Sequence, residues 1–192
     1  HIEVPVQAGD DEVLARMRRG YTVAEYRQLV ARIRELIPGV SIATDIIVGF
    51  PGETEDQFQN TYDLLKELRL DKAHIARYSS RPQTVATRRF DDALSRDEKE
   101  RRRKALDDLQ SEILTEINAR YLDQTVDVLV EGWHARKRRW FGRTCRDRLV
   151  FFDPANAGDN GGPPPENRLG QIVPVHVTWA GPWSLVGQAA TP

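Results

Sequence analysis

The period of the apolar positions changes several times along this chain, and each change marks an element. Ile2, Val4 and Val6 alternate, which predicts a short strand from Ile2 to Gln7 ending at the turn Ala8-Gly9. Asp10-Asp11-Glu12 puts acids where a helix N-terminus favours them. Val13, Leu14 and Met17 give that short helix its inward face, and Arg18-Arg19-Gly20 ends it. Thr22 and Glu25 form a capping box, followed at helical spacing by Tyr26, Leu29, Val30, Ile33 and Ile37 up to Pro38-Gly39. Val40 to Val48 is an apolar, β-branched run interrupted by Asp45 and closed by Gly49-Phe50-Pro51-Gly52. A second capping box, Thr54-Glu55-Asp56-Gln57, opens a helix with Phe58, Tyr62, Leu65 and Leu68 on one face. Ala73 to Tyr78 reads as a third strand. Strand, helix, strand, helix, strand argues for parallel βαβ units, an α/β fold whose ligands sit at the carboxyl ends of the strands. Three strands leave an open edge, so more strands are expected ahead of residue 1 and the chain reads as a piece of a longer protein.

Beyond Tyr78 the pattern changes. Residues 79–94 lack periodicity and read as a loop. Ser95 caps a long helix to about Tyr121, with Leu106, Leu109, Ile113 and Ile117 inward. Its charges (Glu98, Lys99, Glu100, Arg101, Arg102, Arg103, Lys104) are mixed in sign and read as a solvated face. After Leu122 the period becomes two. Val126–Glu131, Trp140–Thr144, Arg148–Phe152, Gln171–Trp179 and Ser184–Gln188 are strand candidates, and the Gly/Pro/Asn-rich stretch Asp153–Arg168 is a loop. Several short strands in so few residues suggest a small β-barrel. The expected domains are 1–121, α/β, and 122–192, all-β.

Composition narrows the classes. A net charge of −1 excludes a general polyanion binder, so any nucleic-acid contact must be a local patch. The single Cys145 excludes an internal disulfide, a four-Cys zinc site and an iron–sulfur cluster held by this chain's own thiolates. It fits a reducing compartment, and with no long apolar run and no signal-peptide pattern a cytoplasmic location is expected.

Four places could carry chemistry. Asp45, inside an apolar run, is either a structural acceptor or a polar contact inside a barrel; both readings are open. Gly49-Phe50-Pro51 offers free backbone and close approach to a planar ligand, and it lacks the Lys-Ser/Thr end of a phosphate loop. Tyr78-Ser79-Ser80-Arg81 ends the third strand, where Arg81 could hold an anion in a bidentate grip or be a solvent-exposed loop Arg. Between Trp133 and Val150, seven basic residues (Arg136, Lys137, Arg138, Arg139, Arg143, Arg146, Arg148) stand against one acid, Asp147, with Trp133, Trp140, Phe141 and His134 interleaved. Basic charge among aromatic faces on a small barrel points to RNA. His1, His74 and His176 have no partner at metal-ligand spacing.

Taken together, these residues resemble the C-terminal part of the radical S-adenosylmethionine methylthiotransferases. The resemblance runs through Pro5–Gly9, Val13–Thr22, Thr44–Thr54 and Tyr78–Ala86, and continues into Gly142-Arg143-Thr144 and Leu149–Phe152, which are similar to a TRAM domain, the RNA-binding β-barrel of these enzymes. Tyr78-Ser79-Ser80-Arg81-Pro82 and Asp71-Lys72-Ala73-His74 look closest to the MiaB type, which modifies tRNA. The resemblance implies the last βα units of a partial radical SAM barrel followed by a TRAM barrel. It also implies S-adenosylmethionine and two [4Fe–4S] clusters in the full-length parent, and methylthiolation of carbon 2 of isopentenyladenosine beside the anticodon. Gln7 and Gly9 would face the methionine or ribose part of the cofactor. Gly49, Phe50, Pro51, Tyr78 and Ser79 would line its adenine, with Asp45 within the same barrel. Arg81, Arg136, Lys137, Arg138, Arg139, Trp140, Arg143, Arg146 and Arg148 would meet tRNA. The CxxxCxxC loop of the radical cluster is absent, so this stretch is expected to need a preceding portion of the same protein and to be inactive alone. Ser80 replaces a usual Pro, Gln83 a usual Gly, and Cys145 a common basic residue. Two other readings stay open: an RNA-binding module only, and a family member acting on threonylcarbamoyladenosine or on a ribosomal protein.

Overall fold

The computed structural model of the chain describes residues 1–81, 88–153 and 167–190. The chain divides into two compact units, Ile2–Ile113 and Leu114–Pro192 with His1. The first contains β1 (Ile2–Glu3), α1 (Asp11–Arg16), α2 (Val23–Leu36), β2 (Ile42–Val48), α3 (Glu55–Leu68), β3 (Lys72–Arg77) and most of α4 (Arg96–Ala119). The three strands form a parallel sheet in the order β1-β2-β3, in register from Ile2↔Ile42 and Asp45↔His74 to Val48↔Arg77. β1 is shorter than the alternation predicts because Pro5 has no N–H to give the ladder. Pairing resumes as a single bridge at Gln7↔Ile46.

Both predicted capping boxes form. The Thr22 hydroxyl accepts from Glu25 N and the Glu25 carboxylate from Thr22 N; Thr54 and Gln57 repeat the exchange. One face of the sheet packs on the helices. There Thr44 Oγ1 accepts from Val6 N at 2.9 Å and from the Tyr26 hydroxyl at 3.2 Å. The gap between this face and the helices, lined by Val6, Tyr26, Ile46 and Leu64 among others, holds about 10 Å³, room for about one water.

The second unit holds β4 (Thr125–His134), β5 (Arg139–Arg143), β6 (Leu149–Asp153), β7 (Ile172–Ala180) and β8 (Leu185–Ala189) in a closed barrel ordered β4-β5-β6-β8-β7. All neighbours are antiparallel except β6 and β8. Five strands in this order have the connectivity of the OB-type Greek-key barrel. Val128, Val130, Trp140, Val150, Phe152, Val173, Val175, Val177 and Leu185 fill it. Gly142 sits where a Cβ would lie 2.0 Å from Leu129 O, so only glycine lets β5 close on β4.

Candidate functional site

Two places bring the singled-out residues together, one in each unit. In the first, three chain segments leave the sheet along one edge. Gln7 N donates to Asp45 O, Ile47 N to Gln7 O and Tyr78 N to Val48 O, each at 2.8–2.9 Å. The tips at Gln7, Gly49 and Tyr78 are thus neighbours at the carboxyl end of parallel strands. Gln7 and Gly49 both turn through the left-handed region, with φ of 70° and 71°. A buried glutamine held there is strained, and such strain concentrates at ligand sites.

The interior of this edge is built by ion pairs. Glu53, at the start of the turn into α3, accepts from Gly49 N at 2.7 Å and from the Arg102 guanidinium at 2.7 Å. The two side chains are 1% and 4% exposed. Burial pushes the Glu53 carboxyl up, and the Arg102 and Gly49 donors pull against it. Arg102 also reaches Glu98, whose carboxyl is held down to about 2 by hydrogen bonds from Arg101 and Arg102. Lys99 lies over the Tyr78 ring, 5.3 Å from its centroid, and pairs with Asp92. Phe50 meets Tyr78 edge to face at 5.1 Å. Lys99 and Arg102 are therefore buried anchors, not members of the solvated helix face that their sequence suggests.

Two glycines are also required by packing. At Gly49 an added Cβ would lie 2.4 Å from Lys99 Cγ. Gly9 is needed for contact with α3, where an added Cβ would meet Thr61 Cα at 2.5 Å. Phe50 and Pro51 are buried, Tyr78 is half-buried, and Ser79 and Arg81 are exposed. Gln83 lies outside the described residues. Asp45 is half-buried and shares its sheet face with Glu3 and His74, which approach to 4.0 Å. That face is the one turned away from the helices, so Asp45 is not a prop for them.

In the second unit the basic cluster separates into parts. Arg136, Lys137 and Arg138 are exposed at the β4–β5 turn, with Lys137 N bound to His134 O and Nδ1. Lys137 Nζ stands 3.7 Å from the Phe151 ring centroid, and His134 and Phe141 pack on the same ring at 5.8 and 6.2 Å. Arg146 is exposed in the β5–β6 turn, beside the exposed Cys145. The others are committed within the barrel. Arg139 pairs with Asp153 at 2.8 Å, and Arg143 with Asp147 at 2.9 Å and Glu131 at 3.4 Å. Arg148 is buried. Trp140, expected to face RNA, is 3% exposed in the core, its ring against Trp133 at 5.3 Å. Strand alternation explains it: in β5, Arg139, Phe141 and Arg143 point outward, so Trp140 and Gly142 point in. The same alternation in the sequence was enough to place it. Sequence reasoning passed over the exposed Trp179 and Trp183.

Among the described residues no group of acids, histidines and cysteines could hold a metal, and no helix is long and apolar enough to cross a membrane.

The comparisons fit both parts. The family model of the Radical SAM superfamily matches residues 1–65 and that of the TRAM domain matches residues 119–190. The first stretch belongs to the radical SAM superfamily, and the second is a TRAM domain. Among the relatives, the tRNA-2-methylthio-N(6)-dimethylallyladenosine synthases of Chloroflexus aurantiacus and Roseiflexus sp. are 52% and 50% identical over 97% and 98% of this chain. That of Thermosipho africanus is 41% identical over 94%. The chain spans 38% of the length of the first two and 40% of the third.

Proposed function

We propose that this chain is the tRNA-gripping and cofactor-supporting portion of a cytoplasmic tRNA methylthiotransferase that acts on isopentenyladenosine beside the anticodon. The observation that carries the proposal is a strand-tip edge and a basic, aromatic OB-type barrel in one chain; the tips at Gln7 and Gly49 lie in the stretch matched by the radical SAM model and the barrel in that matched by the TRAM model. S-adenosylmethionine beside an iron–sulfur cluster supplies radical chemistry when bound. Two [4Fe–4S] clusters are expected in the parent, held by cysteines other than Cys145.

The residues of this chain bind and orient. Gln7, Tyr78 and Ser79 would hold the cofactor, with Phe50 fixing the Tyr78 ring and Glu53 fixing the Gly49 turn. Lys99, paired with Asp92, lies over the Tyr78 ring and helps to fix it. Arg136, Lys137 and Arg138 would hold phosphates from the exposed β4–β5 turn. Arg81, on the exposed side of the strand edge, would meet tRNA there. Arg139 and Arg143 add shape rather than free charge.

The test is mass spectrometry of tRNA nucleosides from cells whose full gene carries Arg136→Ala, Lys137→Ala and Arg138→Ala. The ratio of methylthiolated to plain isopentenyladenosine is expected to fall several-fold, with protein abundance unchanged. An unchanged ratio removes the barrel from substrate binding. A change confined to threonylcarbamoyladenosine would move the substrate to that nucleoside.

A further inference from the structure

The β7–β8 turn carries a feature that the basic β4–β5 tip does not explain. Trp183 is 60% exposed and Trp179 53% exposed in a barrel whose other two tryptophans turn inward. An exposed indole ring is apolar surface left in water, and aromatic rings are surfaces on which bases stack.

The turn that presents them is held rigidly. Asn118 of α4, 2% exposed, donates through Nδ2 to Gly181 O at 2.7 Å and to Pro182 O at 3.1 Å. Gly181 N closes the turn on Ser184 O at 3.0 Å. The Trp179 ring lies against Gly181, where an added Cβ would be 2.1 Å from it. Trp179 thus braces the turn, and Pro182 limits its backbone. Trp183 is the ring left free on a preorganised support, which reduces the ordering cost of binding.

Strand register gives the turn a basic neighbour. The parallel pairing of β6 with β8 begins at Val150↔Leu185. The turns leading into these strands, with Arg146 in one and Trp183 in the other, therefore emerge side by side at one end of the barrel. The Arg136–Arg138 tip lies at the other end of β5, about 13 Å away along the strand. Between them runs the outer face of β5 with the half-buried Phe141, which packs on the buried Phe151. A nucleic-acid strand crossing that face would meet cations at both ends and a free ring at one.

We propose that the β7–β8 turn is a stacking platform on which Trp183 receives an unpaired nucleobase, with Arg146 holding an adjacent phosphate. The proposal rests on the RNA-binding reading of the barrel and adds a second contact to it. It is tested by fluorescence anisotropy of the full chain with a labelled RNA stem-loop whose loop is unpaired, and with a fully paired RNA duplex of the same length. Trp183→Ala should weaken binding to the stem-loop about tenfold and leave duplex binding unchanged. The salt slope should not move, because stacking releases no counterions. Trp183→Phe should keep most of the affinity, and Arg146→Ala should lower the slope by about one. Equal stem-loop affinity in Trp183→Ala, with loss in the Arg136/Lys137/Arg138 triple alanine variant, would overturn the platform and leave RNA binding standing. Equal loss on stem-loop and duplex would overturn it too. No salt-dependent RNA binding by the unaltered chain would remove the underlying reading as well.

Discussion

Arg102→Met is expected to destabilise the unit Ile2–Ile113 by about 3–5 kcal/mol, the range for breaking a buried ion pair by removing one partner. The cause is the carboxylate left behind. Glu53 is 1% exposed and would keep only the Gly49 N–H of its two short contacts. The loss should be partly reversed in Glu53→Gln/Arg102→Met, where the amide oxygen still accepts from Gly49 and no charge is buried. About half or more of the stability is expected to return. The pH dependence has a definite sign. Burial raises the Glu53 carboxyl above its ordinary 4.5, and the loss of Arg102 raises it further. A carboxyl with a higher folded than unfolded pKa takes up a proton more readily in the folded state, so stability falls as pH rises between the two values. The deficit of Arg102→Met should therefore be smaller at pH 4 than at pH 7 (about those values). Urea unfolding at both pH values measures it. Equal stability of the single variant and the parent would show that the pair does not hold the Gly49 turn.

Trp140→Ala is expected to cost the barrel about 3–5 kcal/mol, while leaving RNA affinity intact in the fraction that stays folded. Trp140 packs on Trp133 and is paired in register with Phe152, which has no exposed surface. Trp140→Phe should cost far less. The indole Nε1 finds no acceptor among the described residues, so removing it relieves an unpaired buried donor that costs about 1–3 kcal/mol, against the smaller ring's lost contacts. Thermal unfolding by circular dichroism reads the stability, and anisotropy below the midpoint reads the affinity. Loss of affinity in a fully folded Trp140→Ala protein would return Trp140 to the RNA surface and contradict its place in the core.

Local rules carried most of the fold into the sequence. The two capping boxes, the strand tips and the strand segments of the barrel all depend on residues within a few positions of one another. Ser95 likewise caps its helix through Glu98 N. What failed to show was long-range. Asp153 and Glu131, which pair with Arg139 and Arg143, lie outside the basic window, so the window looked more cationic than its surface is. Lys99 and Arg102 read as part of a solvated helix because the groups they pack on, the tip at Gly49 and the carboxylate of Glu53, are some fifty residues away in the chain. Trp140 is different. Its inward direction was legible from alternation, and the pull of nearby basic residues obscured it.

The salt dependence of RNA binding by the full chain tests the central claim most directly. Affinity for an RNA stem-loop should fall steeply with salt, and Arg136→Ala/Lys137→Ala/Arg138→Ala should lower the slope of log affinity against log salt by about two to three, with no change in the unfolding transition of the barrel. An unchanged slope and affinity in that folded variant would contradict the claim that this tip grips RNA.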